Sequence, residues 1–316
     1  MRWGMIGTRG LVDKGGLNAF DQAENAELVA ALSSDAERAK EFGAEHDLET
    51  ATADLDEFLA APGLEAVWIA SPTWRHHEQG RATLEAGKHV LLEKPLAIDV
   101  KSGWDLVEAA KKAGVLLATG YQARYVPGHI AMQRLLDEGA IGEVTTARTY
   151  YEIHRPGPPP EWRQKRETAR WGALSDVGTH HIDLLRMLLG EITEASGYFE
   201  RQQGFETDDA VAAALRLESG AVATLTISTN AWVQWTRVEV HGTEGALVAE
   251  DTSPTGQGKV FLLRTGEEPE DITGDRPNSW VAQLETVTRA FSGEDAAYAT
   301  GEDGARNLEI MEQIID

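Results

Sequence analysis

Short apolar runs recur at near-regular intervals through the first 120 residues, and helical patterns fill the gaps between them. The runs are WGMIG (3–7), ELVAAL (27–32), AVWIA (66–70), HVLLE (89–93) and VLLATG (115–120), too continuous in their hydrophobicity to face water on either side. Between them AERAKEFGAEH, DLDEFLAA, HHEQGRATLEAG and DVKSGWDLVEAAKKAG carry apolar residues at helical spacing, with glycine near several C-terminal ends. Strand alternating with helix restricts the chain to an α/β fold, a doubly wound parallel sheet with helices on both faces.

The pattern changes after GYQARYVPGH, which places a boundary near residue 122. A chain of 316 residues exceeds what one core usually supports, so two domains are expected, 1–122 and 123–316. The second opens with a helix around 128–138, then GEVTTARTYYEI, the Pro-rich loop RPGPPPEW and a helical pattern from Ser175 to Leu189. From 192 to 264 the runs ITEASGYFERQ, DAVAAALRLES, AVATLTISTN, TRVEVHGT, ALVAED and KVFLLRT read as a meander with short turns such as Ser219-Gly220. That makes the second domain α+β with a large, mostly antiparallel open sheet; the tail from Ser279 reads as helical again.

Charge and composition exclude several function classes. With 52 acidic against 29 basic residues the net charge is −23, a field that repels nucleic acid and anionic membranes. Such self-repulsion is screened within about 3 Å at molar salt, so the acidity, together with arginine outnumbering lysine, reads as adaptation to high salt. The absence of cysteine removes disulfides, thiolate nucleophiles and cysteine zinc sites. With no apolar run long enough to span a bilayer and no basic-apolar leader at Met1, the expected location is cytoplasmic.

A parallel sheet invites a dinucleotide at its first strand-to-helix turn, where backbone N–H groups hold pyrophosphate. That turn reads Gly7-Thr8-Arg9-Gly10-Leu11-Val12. Against G-x-G-x-x-G/A it keeps the first glycine and carries Arg9 and Val12 at the second and third. Either Gly7 serves a tight turn alone, or Arg9 turns outward and lays its guanidinium on a phosphate. At the second strand's tip Ser33 and Ser34 precede Asp35, which reads as a helix cap. Hydroxyls there tolerate a 2′-phosphate that a carboxylate would repel, and Arg9 or Lys14 could pair with it, which leans from NAD toward NADP.

Ligands of open α/β sheets lie beyond the carboxyl ends of the strands. The third run leads into Ser71-Pro72-Thr73-Trp74-Arg75-His76, the fourth ends in Glu93-Lys94-Pro95, and the fifth in Gly120-Tyr121-Gln122. Thr73, His76, Lys94 and Gln122 therefore gather on one edge; Glu93 points to the opposite face by strand alternation, a structural position. Taken alone, Lys94 would read as a surface lysine; following a buried strand at the ligand edge, it is a candidate for chemistry. In GALSDVGTHHID, Asp176, His180 and Asp183 fall at i, i+4 and i+7 of a helix. A histidine beside a carboxylate suits proton transfer, although a capping aspartate with a core histidine would give the same pattern. Metal binding by His180, His181 and Asp183 is a further alternative, disfavoured because adjacent helical side chains diverge by about 100°.

Taken in order, these motifs resemble the Gfo/Idh/MocA oxidoreductases, the glucose–fructose oxidoreductase and inositol dehydrogenase group. The resemblance rests on the first-strand turn, SPTWRHH, Glu93-Lys94-Pro95, Arg124-Tyr125-Val126-Pro127, and Asp176, Gly178, His180 and Asp183 in the pattern D-x-G-x-H-x-x-D, and it covers nearly the whole chain. It implies an N-terminal Rossmann domain and a C-terminal domain whose open sheet supports substrate binding and a homodimer or homotetramer. It also implies hydride transfer between NAD or NADP and a sugar, polyol or related alcohol. Lys94 would hydrogen-bond the reacting oxygen, His180 would accept or donate its proton, and Asp176 would sit beside it on the substrate. The cofactor set is then Gly7, Thr8, Arg9, Gly10, Ser33, Ser34, Ser71, Pro72, Thr73, His76, Glu93, Lys94 and Gln122. Tyr121, Arg124, Trp162 and Trp171 are candidates to line the sugar pocket, or else packing residues. Thr73 stands where the family has Asn. Alternatives on the same scaffold are a non-catalytic ligand sensor and a glycosidase-like enzyme that uses NAD for transient oxidation.

Overall fold

The computed structural model describes residues 1–10, 12–155, 157–252, 258–275 and 278–315. The chain forms two compact units, Met1–Gly120 with Asn278–Ala305, and Tyr121–Pro277 with Arg306–Asp316.

In the first unit β1 (Arg2–Ile6), β2 (Glu27–Leu32), β3 (Thr50–Thr52), β4 (Ala66–Ile69), β5 (His89–Glu93) and β6 (Leu117–Gly120) make one parallel sheet in the order β3-β2-β1-β4-β5-β6. All but β3 coincide with the apolar runs. Strand β3 is only Thr-Ala-Thr, too short and too polar to stand out in the sequence. The order reverses direction between β1 and β4, and the crevice at such a reversal is where this architecture takes its ligand. Helices α1 (Leu17–Gln22), α2 (Ala36–Glu45), α3 (Leu55–Leu59), α4 (His76–Glu85) and α5 (Val100–Ala113) fill the connections. Asp35, Asp54 and Asp99 cap α2, α3 and α5 by accepting backbone N–H groups at 2.9, 2.9 and 2.7 Å. Part of the chain's acidity is thus spent on helix starts.

The second unit contains α6 (Pro127–Asp137), β7 (Val144–His154), the short α7 (Glu161–Gln164) and α8 (Arg166–Ala169), and α9 (Thr179–Leu189), which is preceded by a π-helical turn at Leu174–Gly178. Strands β8 (Ile192–Glu200), β9 (Ala210–Leu217), β10 (Val222–Ser228), β11 (Asn230–Gly242), β12 (Ala246–Glu250), β13 (Lys259–Leu263) and β14 (Glu270–Asp271) join β7 in an eight-stranded sheet. Its order is β14-β13-β12-β11-β7-β10-β9-β8, antiparallel except between β7 and β10. The chain is therefore not the simple meander its spacing suggests. One residue, Thr229, separates β10 from β11, too few for a paired hairpin, and β7 takes the place between them. Strand β9 alternates buried and exposed residues along its length, the signature of a sheet covered on one face only.

The tail supplies α10 (Ser279–Phe291) and α11 (Gly301–Ile315). Helix α10 belongs to the first unit's core: Trp280 stacks on Trp68 at 5.8 Å, Phe291 on Trp3 at 5.6 Å, and Thr288 Oγ1 accepts Trp3 Nε1 at 3.1 Å. With Met5, Val12, Phe20 and Leu91 these rings make a dry interior beneath the sheet.

Candidate functional site

At the edge of the parallel sheet, Gly7 leaves β1 with φ +109°, and a Cβ there would lie 3.2 Å from the Ala70 carbonyl oxygen. Only glycine satisfies both the left-handed backbone and that approach. Its N–H donates to Leu32 O at 2.9 Å, and Thr8 Oγ1 donates to Ser33 Oγ at 3.1 Å, so the tips of β1 and β2 are tied together. Arg9, Gly10 and Ser34 are exposed. The turn is thus open to a phosphate ester, with an arginine at its rim, as an NAD(P)-type ligand requires. Val12 has another task, being buried in the core cluster as the first residue of a π-helical turn over Val12–Gly16. The side chain of Lys14 lies outside the described residues.

Beyond β4, Ser71 Oγ donates to Gln79 Oε1 at 2.6 Å, and Thr73–Arg75 forms a 3-10 turn that buries Thr73. His76 is fully buried, with Nδ1 2.9 Å from Pro95 O and Nε2 2.9 Å from Ser71 O. It joins the loop after β4 to the loop after β5. Burial is the larger influence on its ring and pushes its pKa down, against the pull of the two carbonyls. Glu93 is buried, and Trp68 Nε1 donates to its Oε1 at 3.1 Å. The backbone N–H of Lys94 lies 3.4 Å from the other carboxylate oxygen, and the Lys94-Pro95 peptide is cis. Lys94, partly exposed, stands on a tip held from both sides by His76 and Glu93.

In the second unit, Tyr121 is fully buried, donor or acceptor to Thr179 Oγ1 at 2.8 Å, and its ring meets that of His180 edge-on at 6.0 Å. Burial, then the charge of Asp183, push the Tyr121 hydroxyl's pKa up, so it stays protonated. Arg124 grips Asp183 with two hydrogen bonds of 2.7 Å, and Asn307 of α11 donates to the same carboxylate at 3.0 Å. Asp183 is therefore the buried acceptor that holds the Arg124 and Asn307 side chains together, one turn along α9 from His180. Asp176, in the π-helical turn, is ion-paired with Arg155 and Arg163, and the Arg163 guanidinium lies 5.0 Å over the Trp162 ring. Trp171 is buried beneath Arg170, while Trp162 stays half-exposed. Gln122 is buried in a 3-10 turn at the start of this unit. Among the described residues no group of three histidine, aspartate or glutamate side chains is placed to hold a metal ion.

Sequence reasoning overlooked Arg155, Arg163 and Trp68. Trp68 had a signal, because an indole inside a buried strand needs a partner for its N–H. Arg163 beside Trp162 after a proline-rich loop was a second; Arg155 gave none.

A family model described as an oxidoreductase family with an NAD-binding Rossmann fold matches residues 1–121, and one described as a GFO/IDH/MocA C-terminal domain matches 129–248. A 1,5-anhydro-D-fructose reductase of Ensifer adhaerens is 30% identical over 310 residues, 97% of this chain and 93% of that protein. An inositol 2-dehydrogenase of Rhizobium meliloti is 29% identical over 337 aligned residues, covering 99% and 98%. Among solved structures, an aldose-aldose oxidoreductase from Caulobacter crescentus complexed with glycerol superposes with a TM-score of 0.89 at 26% identity, covering 99% of this chain and 95% of that one.

Proposed function

The chain belongs to the GFO/IDH/MocA oxidoreductase family, and from that premise we propose that it transfers hydride between NADP or NAD and a carbon of a sugar or polyol bearing a hydroxyl or carbonyl group. The observation that carries the reading is the lysine tip. Lys94 is braced by a buried histidine and a buried carboxylate on the same sheet edge as the open Gly7 turn.

In this reading Gly7, Thr8, Arg9, Gly10, Ser33 and Ser34 hold the adenosine and phosphate end of the cofactor, and the loops Ser71–Thr73 and Glu93–Lys94 hold the other. When bound, the nicotinamide gives or takes the hydride. Hydroxyls rather than a carboxylate at the tip of β2, with an exposed arginine nearby, favour NADP. The ammonium of Lys94 hydrogen-bonds the substrate oxygen and stabilises charge as it develops, and His180 holds or returns the hydroxyl proton. Trp162 supplies an apolar surface for a sugar face. Asp176 orients a hydroxyl while Arg155 and Arg163 hold its carboxylate in place.

On the exposed face of β8, β9 and β10 Tyr198, 86% exposed, stands among Ser196, Ala212, Ala214, Thr224 and Thr226, and we assign this face to a second copy of the chain, in a homodimer or homotetramer. We assign the enzyme to the cytoplasm; among the described residues no helix is long and apolar enough to cross a membrane. The test is direct titration with NADPH and NADH by fluorescence in molar KCl, followed by an absorbance screen at 340 nm of ketoses, aldoses and cyclitols. Tighter binding of NADPH and turnover of at least one sugar or polyol are expected; failure of both cofactors to bind would refute the assignment.

A further inference from the structure

The side chains assigned to the sugar sit on two separate backbone segments, Trp162 and Arg163 on α7, and Asp176 and His180 on the π-helical turn and α9. Neither start is capped by its own sequence: Pro160 and Ala173 provide no side-chain acceptor. Three residues just ahead of β9, distant in sequence, bind the end of α7 and the start of the π-helical turn. Glu206 N–H donates to Gln164 O at 3.0 Å, Thr207 Oγ1 donates to Arg163 O at 2.8 Å, and Glu206 Oε2 accepts Arg166 N–H at 3.1 Å. On the other side the Asp208 carboxylate accepts Gly172 N–H at 2.6 Å and Leu174 N–H at 2.7 Å, and its backbone carbonyl accepts Ala173 N–H at 2.8 Å. Both Thr207 and Asp208 are 4% exposed. A Cβ on Gly172 would fall 2.0 Å from Asp208 O, so the approach is as close as a glycine permits.

The clamp closes into a ring. From Thr207 the path runs to the Arg163 backbone, through its guanidinium to the Asp176 carboxylate, back along the turn to Leu174, and through Asp208 to Thr207 again. Two segments bound to neighbouring residues at one end and ion-paired to each other at the far end keep little freedom to shift. An apolar contact would hold them without fixing their register, because burial is not directional. Hydrogen bonds to individual backbone groups do fix it.

We propose that Thr207 and Asp208 are positioning residues that set the spacing between the Trp162–Arg163 turn and the Asp176–His180 helix, and so the geometry offered to the substrate. The assignment rests on the sugar-site reading above, and its test separates the two. Displacements of about 1 Å near reacting groups cost up to about a hundredfold in rate, so small changes at Thr207 are visible.

The experiment compares the full-length parent, Thr207→Val, Thr207→Ser and Asp208→Asn, using a substrate found by the absorbance screen. Thr207→Val keeps the shape and loses the donor; kcat/KM for the sugar should fall about tenfold, with the dissociation constant for NAD(P)H within twofold of the parent. Thr207→Ser restores the donor and should recover at least half of the lost activity. Asp208→Asn sets an amide against two N–H groups and should be worse than Thr207→Val, or fail to fold. Amide hydrogen exchange, which needs no substrate, gives the second readout: Thr207→Val should lose protection over 160–166 and over 172–180 together. Parental kcat/KM in Thr207→Val, or exchange altered in only one segment or neither, overturns the proposal. If the parent turns over no sugar, the functional reading fails, and the exchange result alone still decides the clamp.

Discussion

His129 and His181 give the stability of the second unit a defined pH dependence. His129 is buried with Nδ1 2.8 Å from Ala123 O and Nε2 2.8 Å from Thr252 Oγ1; His181 is buried, bonded to Thr149 Oγ1, with its ring 5.1 Å from that of Tyr151. Burial pushes His129 down to about 4 and His181 to about 3, from an ordinary value of 6.5. Between those values and 6.5 the unfolded chain binds protons that the folded chain refuses. Stability is therefore complete above pH 6.5 and is lost as the pH falls through 6.5 toward 4 and then 3. At pH 5 the unfolded form is ahead by about 1.5 units at each histidine, which at about 1.4 kcal/mol per unit costs about 2 kcal/mol apiece. A total of about 4 kcal/mol is a large part of a typical folding free energy of about 5–15 kcal/mol. The assay is urea unfolding at pH 7.5 and pH 5.0 in molar KCl, for the parent and for His181→Asn, whose amide retains a partner for Thr149 and does not titrate. The parent should lose about 2 kcal/mol more than the variant over that step. Equal losses would refute a neutral, buried His181.

Two further outcomes follow from contacts and charge. Trp68→Phe keeps most of the stacking on Trp280 but leaves Glu93 without its indole donor. Thermal unfolding should show a loss of about 1–3 kcal/mol, and cofactor-saturated turnover should fall because the Lys94 tip loosens; parental turnover would show that Glu93 does not brace that tip. With a net charge of −23, the melting temperature should rise between dilute buffer and molar KCl, and a flat or falling response would contradict adaptation to high salt.

Much of the architecture was legible because burial on both faces leaves continuous apolar runs, and five of the six parallel strands announce themselves that way. Strand β3 escaped since an edge strand of three residues needs no hydrophobic stretch. The place of β7 between β10 and β11 escaped for another reason: register and strand order are settled by pairing across the chain, which periodicity does not encode. The places of Gly7 and Lys94 just past the ends of β1 and β5 were legible because position after a strand is local information. Asp176, His180 and Asp183 share a pattern in sequence, yet the π-helical turn and the grip of Arg124 and Asn307 give Asp183 a different task. The role of the tail helix, whose Trp280 and Phe291 complete the first unit's core, could only come from coordinates.

The most direct measurement is single-turnover oxidation of bound NAD(P)H, followed at 340 nm with an active ketose, for the parent, Lys94→Ala and His180→Ala. If Lys94 stabilises the developing alkoxide and His180 supplies the proton, each variant saturated with cofactor should transfer hydride about a hundredfold or more slowly than the parent. Parental hydride transfer in either variant would remove that residue from the chemistry and contradict the account.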